Sequence, residues 1–265
     1  MLILIVFAHP INAGRDTVGV VAKEDDNGGK ARINNSEVQP PDDTSSEPIV
    51  LAECQVRQFT TDEQDIVTRA IYGVGPPDAI LACHQKDSVQ RSSMQTLAPG
   101  IWLNDEIINY FLKICLAALD EKLCMEQPTR RRSHCYNSFF IQNLFDTKAS
   151  NKDLRWKYNY KNVRRWSGKV PGGNIFNLKY ILCPINTDNE HWSCAVISIQ
   201  EKKIQYYDSL GQTDKNILGG LLQYVADEYL MEHGRKMDVS GWEMVDCTKD
   251  TPLQRNGALE SSSSV

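Results

Sequence analysis

The chain has 265 residues, enough to bury a full core and better suited to one domain with a tail than to two domains. Its hydrophobic share of 41% and charged share of 24% are those of a globular domain. A net charge of -5 and a pI near 5.6 argue against a nucleic-acid-binding domain, whose footprint is a basic face.

The N-terminus, MLILIVFA, is a short apolar run halted by His9-Pro10, with no Lys or Arg before it. It is too short to span a bilayer and lacks the basic start of a signal peptide, so no membrane association is expected. From Lys23 to Pro48 the chain is Asp, Asn, Gly, Ser, Glu and Pro with hardly an aliphatic residue. Such a stretch cannot bury enough to offset its ordering entropy, and residues 1–53 are expected to be a disordered N-terminal region.

Order is expected from near Cys54. Thr60-Thr61-Asp62-Glu63 reads as a capping box opening a short helix, with Gly73 placed to end it. A polar connection to Gly100 follows. The strongest helix comes next: Asn104 caps it, Asp105 and Glu106 occupy its positive first turn, and Ile107, Ile108, Phe111, Leu112, Cys115, Leu116 and Leu119 form one apolar stripe. Arg130-Arg131-Arg132 reads as a solvated loop, and Tyr136 to Phe145 as an aromatic-rich helical segment. Three strands are predicted at Tyr180 to Ile185, His191 to Ile199 and Lys203 to Asp208, where β-branched and aromatic residues run between turn-forming polar clusters. Asp214 can cap a further helix with the stripe Ile217, Leu218, Leu221, Leu222, Val225 and Tyr229, closed by Gly234, and Gly241 to Val245 reads as another strand. Helices first, then strands, then a helix and a strand make an α+β domain with one mixed sheet.

The middle strand is apolar on both faces, so it belongs at the centre of the sheet with both sides covered. With its hairpin turning at Glu201-Lys202, His191 and Asp208 lie at the same end of the ribbon, and an odd pairing register puts both on one face. A histidine beside a carboxylate is how a general base is oriented. Such a pair also arises by chance as an ordinary hydrogen-bonded contact. The eight cysteines, at 54, 83, 115, 124, 135, 183, 194 and 247, show no CxxC or Cys/His zinc spacing. They read as small buried hydrophobes in a reducing compartment, and no metal or cofactor is expected.

Five segments, in order, carry a resemblance. They are Trp102-Leu103-Asn104-Asp105-Glu106, Val163-Arg164-Arg165-Trp166, His191-Trp192, Tyr206-Tyr207-Asp208-Ser209 and Pro252-Leu253-Gln254-Arg255-Asn256-Gly257. Together they resemble the catalytic domain of the SUMO-specific cysteine proteases of the Ulp/SENP type, over about Thr60 to Gly257. The resemblance implies a papain-like α+β fold, with a catalytic domain over residues 54–257 and a non-family tail at 258–265. It implies His191 as general base, Asp208 as its orienting carboxylate and Gln254 as side-chain donor of the oxyanion hole. Trp102 and Trp192 match two tryptophans that clamp the modifier's Gly-Gly tail, where two indoles leave no room for a Cβ. Trp102 taken alone can also be read as a half-buried packing residue. Asp105, Arg164 and Arg165 are candidate contacts to the modifier's body, for which helix-start and surface-charge roles serve nearly as well. Trp166 is expected in the core. The implied partner is SUMO or another ubiquitin-like modifier with its conjugates, and the implied setting a monomer in the nucleus or cytoplasm.

One family feature is missing. The Gln-x-Asn-Gly segment should lead to a cysteine at position 260, which here is Glu260 within Ala258-Leu259-Glu260-Ser261. Neither Cys194, predicted on the opposite face of the strand from His191, nor Cys247, without a motif around it, is expected to replace it. Without the helices that follow that cysteine in the family, part of the sheet and the Ile107 to Leu119 stripe should be uncovered, and the chain as given should be inactive and poorly soluble. Two classes of function remain open: a protease for SUMO or a related modifier, and a catalytically dead module that still binds one.

Overall fold

The computed structural model describes residues 59–84, 86–145, 157–189 and 191–247. The expected disordered region at 1–53, Gln254 and the 258–265 tail lie outside the described residues.

The first helix, α1 (Thr61–Tyr72), begins with the expected capping box: the Thr60 side chain accepts from the Glu63 amide while Glu63 returns a bond to the Thr60 amide. The stretch read as a polar connection is instead structured. It holds an antiparallel hairpin, β1 (Ile80–His84) with β2 (Asp87–Gln90), then a single-turn helix α2 (Arg91–Met94). Its strands are short, β1 an apolar run without alternation and β2 mostly polar, so no period-two pattern announces them. Val89 nevertheless turns fully inward and carries the hairpin's anchoring contact.

Asn104 caps α3 (Asp105–Phe111) through its side-chain oxygen, which accepts from the Ile107 amide at 3.1 Å. The predicted long helix does not continue as one α-helix: a π-helical segment at Leu112–Leu116 separates α3 from α4 (Ala117–Glu126). A π segment turns less per residue than an α-helix and so rotates the stripe out of phase. Ile107, Ile108 and Leu112 are therefore buried, against Val89 and Trp192 among others, while Leu119 is exposed. Contrary to expectation, the first half of the stripe is covered. In the second half Leu116 still packs partly buried on the same cluster, and Leu119 has turned to solvent.

Arg130 corrects the reading of its run as a solvated loop. Its guanidinium donates to Asp120 on α4 at 2.6 Å, and the same carboxylate accepts from the Ser133 amide at 3.0 Å. Arg131 donates to the Phe176 carbonyl. The pair closes the turn from α4 into β3 (His134–Cys135), which is followed by α5 (Phe139–Leu144).

The main sheet runs in the order β3–β4–β5–β6–β7, with β4 at Tyr180–Thr187, β5 at His191–Ser198, β6 at Lys203–Tyr207 and β7 at Glu243–Asp246. The two outer pairings are parallel and the two inner ones antiparallel, as in the expected mixed sheet. β3 faces only Ile181 and Leu182, so Pro184 lies beyond it, where a missing donor is tolerated. Between β6 and β7 runs α6 (Lys215–His233), capped by the Asp214 carboxylate and ended by Gly234 at φ 68°. A Cβ on Gly220 of α6 would collide with the Phe145 ring, so the glycine lets the end of α5 pack directly on the helix.

Two cores cover the sheet. Tyr136, Phe140, Leu144, Leu221, Tyr224 and Val225 cover the face that Ala195, Ile197 and Tyr206 present, and the hydroxyls of Tyr136 and Tyr224 meet at 2.7 Å. Ile107, Ile108, Leu112 and Val89 cover the other face, which carries Trp192 and Cys194. Trp166, expected in the core, is partly buried and packs against the core rings of Tyr136 and Phe140. Tyr224 was absent from the predicted helix stripe because a buried phenol is not distinguished from a surface one by periodicity.

Removing one partner of a nearly buried ion pair strands the other charge. Asp120→Ala is expected to lower the unfolding free energy by about 3–5 kcal/mol. Lys113→Ala, at the exposed pair with Asp87, should cost about 1 kcal/mol or less. Urea denaturation of the two variants measures both.

Candidate active site

The site is built on the β5–β6 hairpin. Cys194 pairs with Tyr207, Ala195 with Tyr206 and Ser198 with Lys203, so paired positions sum to an odd number, as the sequence required. The turn sits one residue earlier than predicted. It spans Ile199 to Lys202, closed by the Lys202 amide on the Ile199 carbonyl, with Lys202 at φ 52°. The shift leaves parity unchanged, and His191 and Asp208 come together: His191 Nε2 lies 2.8 Å from Asp208 Oδ1. The same Oδ1 accepts from the Leu210 amide at 2.7 Å, which fixes the carboxylate after the strand ends. Asp208 is 2% exposed, so the pair operates with little water around the carboxylate.

The pair opens into a cavity of about 210 Å3 lined by Thr187, Asp188, His191, Tyr206, Asp208 and Leu210, among others. A wider cleft of about 610 Å3 between the β1–β2 turn, α3 and β3 contains neither His191 nor Asp208. His134 borders that cleft, and burial lowers its imidazole to about 4, so it is neutral at physiological pH. It does not rival His191 as a base paired to a carboxylate.

On the opposite face of β5, Trp192 is 5% exposed and its indole N–H donates to the Leu103 carbonyl at 2.8 Å. That bond ties β5 to the loop in front of α3. The loop is held from its other side as well: Asn104 donates to the Ser93 hydroxyl, and Glu106 accepts from Ser93 and the Gln90 amide. Trp102, next to Leu103, is 50% exposed on this clamped loop. The two tryptophans are thus joined through one backbone carbonyl, one buried and one open. Asp105, Arg164 and Arg165 are exposed at the surface, and Gln254 lies outside the described residues.

The cysteines divide by environment. Burial pushes the Cys194 thiol up to about 12, and its strand position places it on the face away from His191. Cys135 is likewise pushed up to about 12 and Cys183 well above its ordinary value, both by burial. Cys247 is buried, with its sulfur against Gln205 and Tyr207, which alternate with Tyr206 and Asp208 and face the other way. None of these is a thiolate aimed at His191. Cys83 departs from the general reading of the cysteines, being exposed on β1. Among the described residues no cluster of three or more His, Cys, Asp or Glu could hold a metal ion, and no helix is long and apolar enough to cross a membrane.

Residues 101–258 match the family model for the Ulp1 protease family, C-terminal catalytic domain. The chain belongs to the Ulp1 protease family. Among its relatives, the ubiquitin-like-specific protease ESD4 of Arabidopsis thaliana is 34% identical over 202 residues, covering 75% of this chain and 38% of that protein. Sentrin-specific protease 2 of Mus musculus is 30% identical over 205 residues, covering 76% of this chain and 31% of that protein. The chain therefore spans about a quarter to a half of the curated relatives it matches. The solved Ulp1 protease domain in complex with Smt3, the yeast ortholog of SUMO, superimposes with a TM-score of 0.56 at 28% identity, covering 77% of this chain and 79% of that one. A structure of the SUMO protease Ulp1 with its catalytic cysteine oxidised to a sulfenic acid gives 0.53 at 29% identity, covering 76% and 78%. The α+β fold with its mixed five-stranded sheet is thus the Ulp1 protease fold, in a family of cysteine-type SUMO proteases.

Two residues beside the pair escaped the sequence reading as individuals. Ser193 and Tyr206, both buried, join hydroxyls at 2.8 Å on the face that carries His191 and Asp208. A polar residue two positions from His191 inside an apolar strand was the available signal.

Replacing Trp192 by Phe keeps most of the packing and strands the Leu103 carbonyl. An unsatisfied buried acceptor costs about 1–3 kcal/mol. Thermal unfolding of Trp192→Phe should show that loss.

Proposed function

We propose that this domain engages SUMO or another ubiquitin-like modifier in the manner of a protease that hydrolyses the bond after the modifier's Gly-Gly end, with the chain as given lacking the nucleophile. His191 is the general base, Asp208 orients it and stabilises the imidazolium, and Gln254 supplies the oxyanion donor. Trp192 forms the floor of the glycine path and Trp102 its open wall, while Asp105, Arg164 and Arg165 meet the folded body of the modifier. The names of the relatives support the substrate class.

The single observation that carries the reading is the His191 Nε2–Asp208 Oδ1 contact at 2.8 Å on the cavity wall. It commits Nε2 to the carboxylate and leaves Nδ1 as the nitrogen to serve a thiol. In a Cys-His-Asp mechanism that nitrogen takes the thiol proton, the thiolate attacks the carbonyl carbon of the second glycine, the imidazolium gives the proton to the leaving amine, and water then hydrolyses the thioester. Position 260, where the nucleophile is expected, is Glu260. A carboxylate has no thiol proton to give up and forms no thioester, so the assembled pair has nothing to activate. Burial keeps the sheet cysteines Cys135, Cys183 and Cys194 protonated, and they do not substitute.

A second reading, a binding module for the same modifiers, is favoured by the exposure of Trp102 on a loop held rigid from two sides. Incubation with a SUMO precursor and with a thiol-reactive SUMO probe is expected to give neither cleavage nor labelling. Binding of mature SUMO should persist and weaken at least tenfold in Trp102→Ala. Cleavage or labelling would overturn the missing-nucleophile reading, and absence of binding to any ubiquitin-like modifier would overturn both. An Asp-Cys-Gly codon run in the transcript near the Gly257 codon would establish the protease over the binding module.

A further inference from the structure

The β5–β6 ladder, continued one step past Cys194 and Tyr207, sets Ser193 directly opposite Asp208, after which the chain turns away at Ser209 and Leu210. Asp208 nevertheless bonds to His191, two residues along, and Tyr206, which faces Ala195, bonds to Ser193, two residues along in the same sense. Two parallel diagonals replace the direct pairs. Diagonal neighbours on one face lie roughly 7–8 Å apart, within reach of an imidazole or a phenol. Ala195 leaves room for the Tyr206 ring to lean that way.

The direct neighbour is a competitor. A serine hydroxyl facing a nearly buried carboxylate is a natural donor to it, and hydrogen bonds to charged acceptors are roughly twice as strong as those between neutral groups. The Ser193 side chain has three staggered orientations, and here it is turned to the Tyr206 hydroxyl at 2.8 Å. Asp208 Oδ1 is left to His191 and the Leu210 amide. Tyr206 also lines the cavity, and burial together with the nearby Asp208 charge pushes its phenol up to about 12, which keeps it a neutral hydroxyl.

We infer that Tyr206 is a positioning residue of the site: its hydroxyl holds Ser193 and thereby reserves the Asp208 carboxylate for His191. The inference rests on reading His191 and Asp208 as the base pair. It assigns Tyr206 no contact with substrate. The other ionisable groups facing the same cavity, Asp188 and Asp214, are left in place by every variant below.

The test follows the pH dependence of His191 carbethoxylation by diethyl pyrocarbonate, read by peptide mass spectrometry on the full chain at low micromolar concentration. The reagent modifies only neutral imidazole, so the midpoint reports how firmly the carboxylate holds the protonated ring. Asp208→Asn should lower the midpoint by about one unit or more, the usual effect of losing an opposite charge at this distance. An unchanged midpoint in that variant would sink the base-pair reading itself. Tyr206→Phe keeps the ring in the core and releases Ser193, and should lower the midpoint by roughly half as much. Ser193→Ala alone should leave it in place, and Tyr206→Phe with Ser193→Ala should restore it. An unmoved midpoint in Tyr206→Phe, or a drop that the second substitution does not restore, would overturn the inference, the latter by showing a packing effect. Near-ultraviolet circular dichroism confirms that each variant is folded.

Discussion

A strand buried on both faces has to be covered twice, and β5 is that strand. One cover is α5, α6 and the aromatic cluster around Tyr136 and Tyr224, and the other is α3 with the β1–β2 hairpin. Because side chains alternate across a strand, neighbouring residues on β5 report to different covers. His191 looks toward the first and Trp192 toward the second. The chemistry of the base and the architecture of the tryptophan pair are therefore adjacent in sequence and separated by the thickness of a sheet.

That separation explains how the parts are held. Trp192 cannot touch the His191–Asp208 pair, yet its indole reaches the backbone in front of α3 and pulls the Trp102 loop to the end of the strand that carries His191. The loop is then trapped between β5 and the hairpin through Asn104, Glu106 and Ser93. The five consecutive residues from Trp102 to Glu106 include one exposed ring, one carbonyl acceptor, one helix cap and one tether, each with a different neighbour. Asp105, like Trp102, is exposed at the surface.

Much of this was readable before any coordinates. The capping box at Thr60, the cap at Asn104, the α6 stripe and the order of the three central strands follow local rules, and the structure keeps them. The His191–Asp208 juxtaposition was readable because parity, unlike distance, survives a one-residue error in the turn. The β1–β2 hairpin was missed because its strands have four or five residues and only Val89 is fully buried. The π-helical segment was missed because nothing in a periodic stripe announces an extra residue in the turn. Arg130 was misread because the sequence of a basic run does not reveal a carboxylate ten residues upstream, and Asp120 meets it only after α4 has turned. Ser193 and Tyr206 lay inside segments already singled out, and only the diagonal sense of their bond separates them from ordinary buried polar residues.

The turn from Ile199 to Lys202 is remote from every functional residue and touches none of them. It is also the place where the hairpin's count is set. One residue added there and transmitted along the ladder would make paired positions sum to an even number, and Asp208 would pass through the sheet to the side of Trp192. Two added residues would return it to the side of His191. Variation in this loop is therefore constrained by arithmetic and not by side-chain chemistry: a lineage keeping the site can change the loop freely in composition, and in length only by pairs or by an irregularity that absorbs the odd residue before the ladder begins.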